Sequence, residues 1–205
     1  MEAVRTGLIE WAAAEGTRAG QTESGDRYLV TPTPDGALVA VVDGLGHGAE
    51  AADAAKVAVR SLERHAQQPV IPLVRDCHRS LLGTRGAVVS VAAFAARDQT
   101  MTWLGVGNVE GLLLRAQATS PRRESLLMRG GVVGAHLPAL AAEILPVTPG
   151  DTLILATDGV RSDFSHERLP QRDSPRLLAD HILARWGKRD DDALVLVVRY
   201  LGLAT

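Results

Sequence analysis

The chain has 205 residues, 46% of them hydrophobic and 22% charged, which is enough apolar material for one sizeable core and too little length for two comfortable domains, so residues 1–205 are expected to form a single domain. With 22 basic against 24 acidic side chains the formal net charge is −2; no basic stripe offers itself to nucleic acid and no polybasic cluster to a membrane. One cysteine, Cys77, excludes an internal disulfide or a thiolate metal cage, residues 1–5 lack the layout of a signal peptide, and no stretch reaches the ~20 apolar residues of a membrane span, so the expected compartment is the cytoplasm.

Taken in chain order, residues 8–17 fit a helix or a strand equally well. Val/Leu/Ile-rich runs predict strands over 28–31 and 37–42, joined by the turn Thr31-Pro32-Thr33-Pro34-Asp35-Gly36. A helix follows over 49–65, with Ala52, Ala55, Val59 and Leu62 on one face, and another over 72–82, with Leu73, Cys77 and Leu81 spaced by four. Strands are predicted over 87–95, 102–106 and 111–114, a surface turn at Ser120-Pro121-Arg122-Arg123, and a strand over 152–156. Ser174 N-caps a helix over 175–186 that aligns Leu178, Ile182 and Trp186, and a strand over 193–200 closes the series. Most of these strands are apolar on both faces, which calls for a sheet covered on both sides. Strands and helices come in runs rather than alternating, so the expected fold is an α/β layered sandwich with largely antiparallel sheets.

The acids fall at strand ends. Asp26 precedes the strand over 28–31, Asp43 ends that over 37–42, Asp158 follows that over 152–156, and Asp190, Asp191 and Asp192 precede that over 193–200. If the strands starting at acids run antiparallel to those ending at them, all these carboxylates reach one edge of the fold. Gathered there they repel one another unless a cation neutralises them, and an all-oxygen donor set without a His or Cys cluster suits Mg²⁺ or Mn²⁺ rather than zinc. Gly44 and Gly159 follow two of the acids, where a missing Cβ permits a sharp turn and the approach of a backbone carbonyl to a metal. Two such ions can activate water and clamp a phosphoryl group for in-line attack. Each Asp-Gly taken alone also reads as an ordinary turn.

The loop Gly44-Leu45-Gly46-His47-Gly48-Ala49 meets the loose dinucleotide-binding pattern, but Asp43 would sit against the pyrophosphate and no second parallel strand follows. No Walker A loop and no G-x-S-x-G elbow occur. His47, inside the glycine loop, either donates a proton, orients a phosphate or packs the loop.

Ser24-Gly25-Asp26, Val41-Val42-Asp43-Gly44-Leu45-Gly46-His47-Gly48, the run over 150–160 ending in Thr157-Asp158-Gly159-Val160, and Asp190-Asp191-Asp192-Ala193-Leu194-Val195 resemble, in order, the metal-binding motifs of the metal-dependent (PPM, type 2C) serine/threonine protein phosphatases. The glycine-rich loop resembles the bacterial branch that includes the SpoIIE and RsbU phosphatases, and the short chain is similar to the stressosome feedback phosphatases of that branch. The resemblance implies an α-β-β-α sandwich holding two divalent ions, Mn²⁺ or Mg²⁺, between two central sheets. Asp43 would bridge both ions, Asp158 and Asp190 would hold one, and Asp26 with the Gly44 carbonyl the other; Asp190 is chosen because the family ligand lies three residues before a threonine-like position, here Ala193. Asn108 stands where some members carry an acid for a third metal, so a third site should be weak or absent. Leu45 replaces the histidine that follows Asp-Gly in eukaryotic relatives, which leaves His47 as the general-acid candidate. The implied activity is hydrolysis of phosphoserine or phosphothreonine on proteins, with phosphorylated stressosome subunits of the RsbR and RsbS kind as substrates. Alternatives are a non-catalytic phosphoprotein-binding regulator with the same fold and a two-metal hydrolase of small phosphate esters.

Overall fold

The computed structural model describes residues 4–117 and 123–203. The chain runs through β1 (Val4–Thr6), β2 (Ile9–Gly16), β3 (Asp26–Thr33), β4 (Gly36–Gly44), α1 (Ala49–Arg64), α2 (Val70–Leu81), β5 (Ala87–Ala95), β6 (Thr100–Val106), β7 (Glu110–Leu114), β8 (Arg123–Ser125), β9 (Glu143–Pro146), β10 (Thr152–Ala156), a 3-10 turn at Ser162–Ser165, α3 (Pro175–Trp186) and β11 (Ala193–Tyr200). The strands form a six-stranded sheet in the order β1-β2-β11-β10-β7-β8 and a five-stranded sheet in the order β3-β4-β5-β6-β9. Neighbouring strands within both are antiparallel.

Strand alternation divides the apolar residues among three layers. In β4, Ala37, Val39 and Val41 enter the core between the sheets, while Leu38, Ala40 and Val42 pack under α1 and α2. In β11, Leu194, Leu196, Val198 and Tyr200 face the inter-sheet core, and Ala193, Val195 and Val197 meet α3. Both faces of these strands are therefore buried, which is why their sequences read as continuous apolar runs. At ~1.5–3 kcal/mol for each large apolar side chain removed from water, these layers dominate the favourable side of folding. Trp103 Nε1, sealed inside, donates to Ser90 Oγ at 2.8 Å, so the indole N–H is not left unsatisfied.

The helices follow from small residues and caps. α1 buries Ala51, Ala52, Ala54, Ala55 and Ala58 against its neighbours, and their short side chains let the helix lie close to the sheet. Ser174 accepts from Leu177 N at 3.3 Å and so caps α3. Cys77 of α2 is completely buried, its Sγ 3.9 Å from the Ala58 carbonyl of α1, and burial pushes its thiol up to about 12.

Residues 9–16 are a strand, because they pair along their whole length with β11 and leave Ile9, Ala12 and Ala14 buried. Strands β1, β8 and β9 were not expected; each has three or four residues, too few for a periodic signal. The turn read at 120–123 falls largely outside the described residues, and Arg123 opens β8. Among the described residues no helix is long and apolar enough to cross a membrane.

Candidate metal-binding cleft

The β3–β4 hairpin, closed by the two residues Pro34 and Asp35, sets Asp26 directly opposite Asp43 in register. In the other sheet, antiparallel β10 and β11 bring the end of one to the start of the other, with Thr157 N donating to Leu194 O at 3.0 Å. The acids of both strand pairs meet at one end of the sandwich, around a cleft of about 620 Å³ whose lining includes Asp43, Asp158 and Asp191 together with Arg18, His47 and Asn108. Gly130, Gly131 and Val132 complete another part of its wall.

The three consecutive acids have different surroundings. Asp190 is exposed and does not line the cleft, whereas the half-buried Asp191 does. Asp192 is 5% exposed and its carboxylate accepts from Arg18 N at 2.9 Å and Gly25 N at 2.8 Å. With Asp192 anchored at the mouth of β11, its neighbour Asp191, and not the expected Asp190, is the one presented to the cleft.

The glycines after the acids are also explained differently. Gly44 is paired in β4 and makes no left-handed turn; a Cβ on it would come within 2.1 Å of the Ala51 carbonyl oxygen. A Cβ on Gly159 would reach 1.7 Å from the Asp192 carbonyl oxygen. Both positions need glycine because another segment of backbone passes there. The left-handed glycines are Gly46, at φ 91°, and Gly48, at φ 76°, in the loop that carries His47 to the cleft.

Electrostatics mark the site. Burial raises the Asp43 carboxyl to about 8, and the carboxylates of Asp26, Asp158, Asp191 and Asp192 all act in the same direction. Burial likewise raises Asp26 to about 7, opposed by the hydrogen bond from Thr157 and reinforced by Asp192, Asp158 and Asp191. Thr157 Oγ1 donates to Asp26 Oδ2 at 2.7 Å. Asp158 receives Asn108 Nδ2 on Oδ2 at 2.8 Å, while Lys188 Nζ donates to its backbone carbonyl at 2.6 Å.

Carboxylates buried and forced together in this way fit hard divalent cations, whose charge would offset the burial and the mutual repulsion that raise the Asp26 and Asp43 carboxyls. Among the described residues no three His, Cys, Asp or Glu side chains already close into a cage. Sequence reasoning brought Asp26, Asp43, Gly44, His47, Asp158 and the acids at 190–192 to this end of the fold; it missed Thr157 and the anchoring of Asp192 on backbone N–H groups. Their one signal, a polar residue at the mouth of a buried strand, shows only once burial is known: Thr157 is 1% exposed.

Two antiparallel sheets between helical layers, with acids from both sheets at one end, define the PP2C type of phosphatase fold. The chain belongs to the SpoIIE family: the model of Stage II sporulation protein E (SpoIIE) matches residues 33–201. It is 23% identical over 177 residues to the phosphoserine phosphatase RsbX of Bacillus subtilis (strain 168), across 85% of this chain and 86% of RsbX. RsbX solved in complex with magnesium superposes with a TM-score of 0.85 at 19% identity, over 97% of this chain and 98% of that one. A chain solved in work on the bacterial stressosome, as a modular system adapted to control secondary messenger signaling, is 30% identical with a TM-score of 0.84, covering 93% of this chain and 99% of that one. The catalytic domain of the serine/threonine protein phosphatase PstP, in complex with two manganese ions, shares the fold at a TM-score of 0.74 and 17% identity, over 95% of this chain and 99% of PstP's domain.

Proposed function

We propose that residues 1–205 form one phosphatase domain that hydrolyses phosphoserine and phosphothreonine on proteins in the cytoplasm, dependent on two Mn²⁺ or Mg²⁺ ions. The observation that carries this reading is the meeting of Asp43, Asp158 and Asp191 in one cleft, with Asp26 buried opposite Asp43. Asp43 is assigned between the two ions, Asp26 and the Gly44 carbonyl to one, and Asp158 with Asp191, in place of Asp190, to the other. Bound there, the ions would supply an activated water and neutralise the charge that develops on the transferred phosphoryl group. The chain's own contribution is to hold the donors in place, Asn108 by fixing one oxygen of Asp158. His47, exposed on the cleft, is assigned the proton donor to the leaving serine or threonine oxygen.

Likeness to RsbX and to a chain from stressosome work supports phosphorylated stressosome subunits as the substrates. The test is phosphate release from a phosphoserine stressosome subunit with Mn²⁺, with Mg²⁺ and with EDTA, for wild type and Asp43→Asn. Release that requires metal and falls at least ~100-fold in D43N is expected. Metal-dependent binding of the phosphoprotein without release would replace the enzyme by a non-catalytic regulator; turnover of small phosphate esters with no preference for the phosphoprotein would make it a small-molecule hydrolase.

A further inference from the structure

The metal donors come from two sheets that are not hydrogen-bonded to each other as strands, so something must fix the offset of one set of carboxylates from the other. Asp26 belongs to the five-stranded sheet; Asp158 and Asp191 lie at the end of β10 and the start of β11 in the six-stranded sheet. The Thr157 side chain spans this gap. It is buried, and its hydroxyl oxygen accepts from Leu194 N at 2.9 Å while its hydrogen goes to Asp26 Oδ2 at 2.7 Å. The alternative acceptor, the Leu194 carbonyl, is 3.5 Å away, too far to compete with a contact of 2.7 Å. Its backbone N–H is separately engaged with that same carbonyl, so the β10–β11 junction does not need the hydroxyl to stay paired.

With its oxygen accepting from the Leu194 N–H, the hydroxyl has the Asp26 carboxylate as the near acceptor for its own hydrogen. One oxygen of Asp26 is thereby fixed and the other left for a cation. A second link across the same gap, Gly25 N to Asp192 Oδ2 at 2.8 Å, holds the backbone just before Asp26 but does not touch the Asp26 carboxylate. We propose that Thr157 is the positioning residue that sets the Asp26 carboxylate, and through it the spacing of the donors of one sheet from those of the other, for divalent-metal binding. The inference rests on the metal-centre reading above and adds to it a residue that touches neither metal nor substrate.

Mn²⁺ titrations followed by the electron paramagnetic resonance of the free ion test this on wild type, Thr157→Val, Thr157→Ala, Thr157→Ser, Asp26→Asn and the T157V/D26N double variant, each also melted in EDTA. T157V is expected to weaken Mn²⁺ binding about tenfold or more, as loss of a partner behind a metal ligand does, and T157S to stay within about twofold of wild type. In the D26N background the same Thr157→Val change should alter affinity by less than about twofold, since its action runs through Asp26. A residue that only fills space would lower the EDTA melting temperature and give equal losses in both backgrounds. Wild-type affinity in folded T157V, equal losses in both backgrounds, or failure of both T157V and T157A to fold in EDTA would overturn the proposal while leaving the metal centre standing. A wild-type protein that binds no Mn²⁺ would overturn both.

Discussion

Asp190, Asp191 and Asp192 share one chemistry and occupy three environments: solvent, cleft and a buried seat between two backbone N–H groups. The placement predicts that D191N loses at least ~100-fold in metal-dependent phosphatase activity whereas D190N keeps activity within about twofold of wild type, measured side by side at saturating Mn²⁺. In sequence the one feature that ranks the triplet, the spacing to Ala193, favours Asp190; in the fold the order is set by which one the Arg18 and Gly25 N–H groups capture. The raised carboxyls have a consequence for stability. Without metal the folded state holds protons on Asp26 up to about 7 and on Asp43 up to about 8, while the unfolded chain releases them near the ordinary 3.8. The folded state then binds more protons across that interval, so stability falls as pH rises through it. Melting in EDTA should therefore drop between about pH 5 and about pH 8. D43N should flatten the slope, and Mn²⁺ should raise the melting temperature most at the upper end.

At the scale of elements, the sites where backbone meets backbone are the most exacting. Gly159 faces the Asp192 carbonyl at the point where the end of β10 meets the start of β11, with 1.7 Å between that oxygen and any added Cβ. Gly159→Ala should force the two segments apart, costing about 2–3 kcal/mol in urea denaturation and lowering activity by displacing Asp158 and Asp191 together. Such a requirement cannot be read from an Asp-Gly pair, which looks like a turn until the second backbone is in place. The long strands were legible because burial on both faces writes an unbroken apolar run: β5, β10 and β11 span the residues their sequences predict. Helix α3 was legible for a different reason, its cap at Ser174. β9, whose residues Glu143–Pro146 are largely exposed, was not, since only pairing with β6 makes it a strand. The candidate site was half legible by the same logic. Asp26, Asp43 and Asp158 sit at the ends of readable strands, while Thr157 and Asp192 act through contacts between elements far apart in sequence.

Across the whole molecule, the acid-lined end is only one margin of three stacked apolar layers, and the opposite margin has its own tie. There Asp151, 2% exposed, meets Arg115 Nη1 at 2.9 Å and also accepts from Ala116 N at 2.8 Å and Thr148 N at 3.1 Å. Chelation should accordingly leave the far-ultraviolet circular dichroism intact while the melting temperature falls, because the layers do not depend on the cleft for their packing. The single thiol of the chain gives a way to watch one of those layers alone. Cys77 is sealed beneath α1 with its thiol pushed up to about 12, so an aromatic disulfide reagent can reach it only when the α1–α2 layer lifts from the sheet. Its labelling rate is then an internal clock for that opening. A rate unchanged by Mn²⁺ would mean that the helical layer breathes independently of the cleft, and a rate slowed by Mn²⁺ would mean that metal occupancy is felt through β4 on the far side of the sheet.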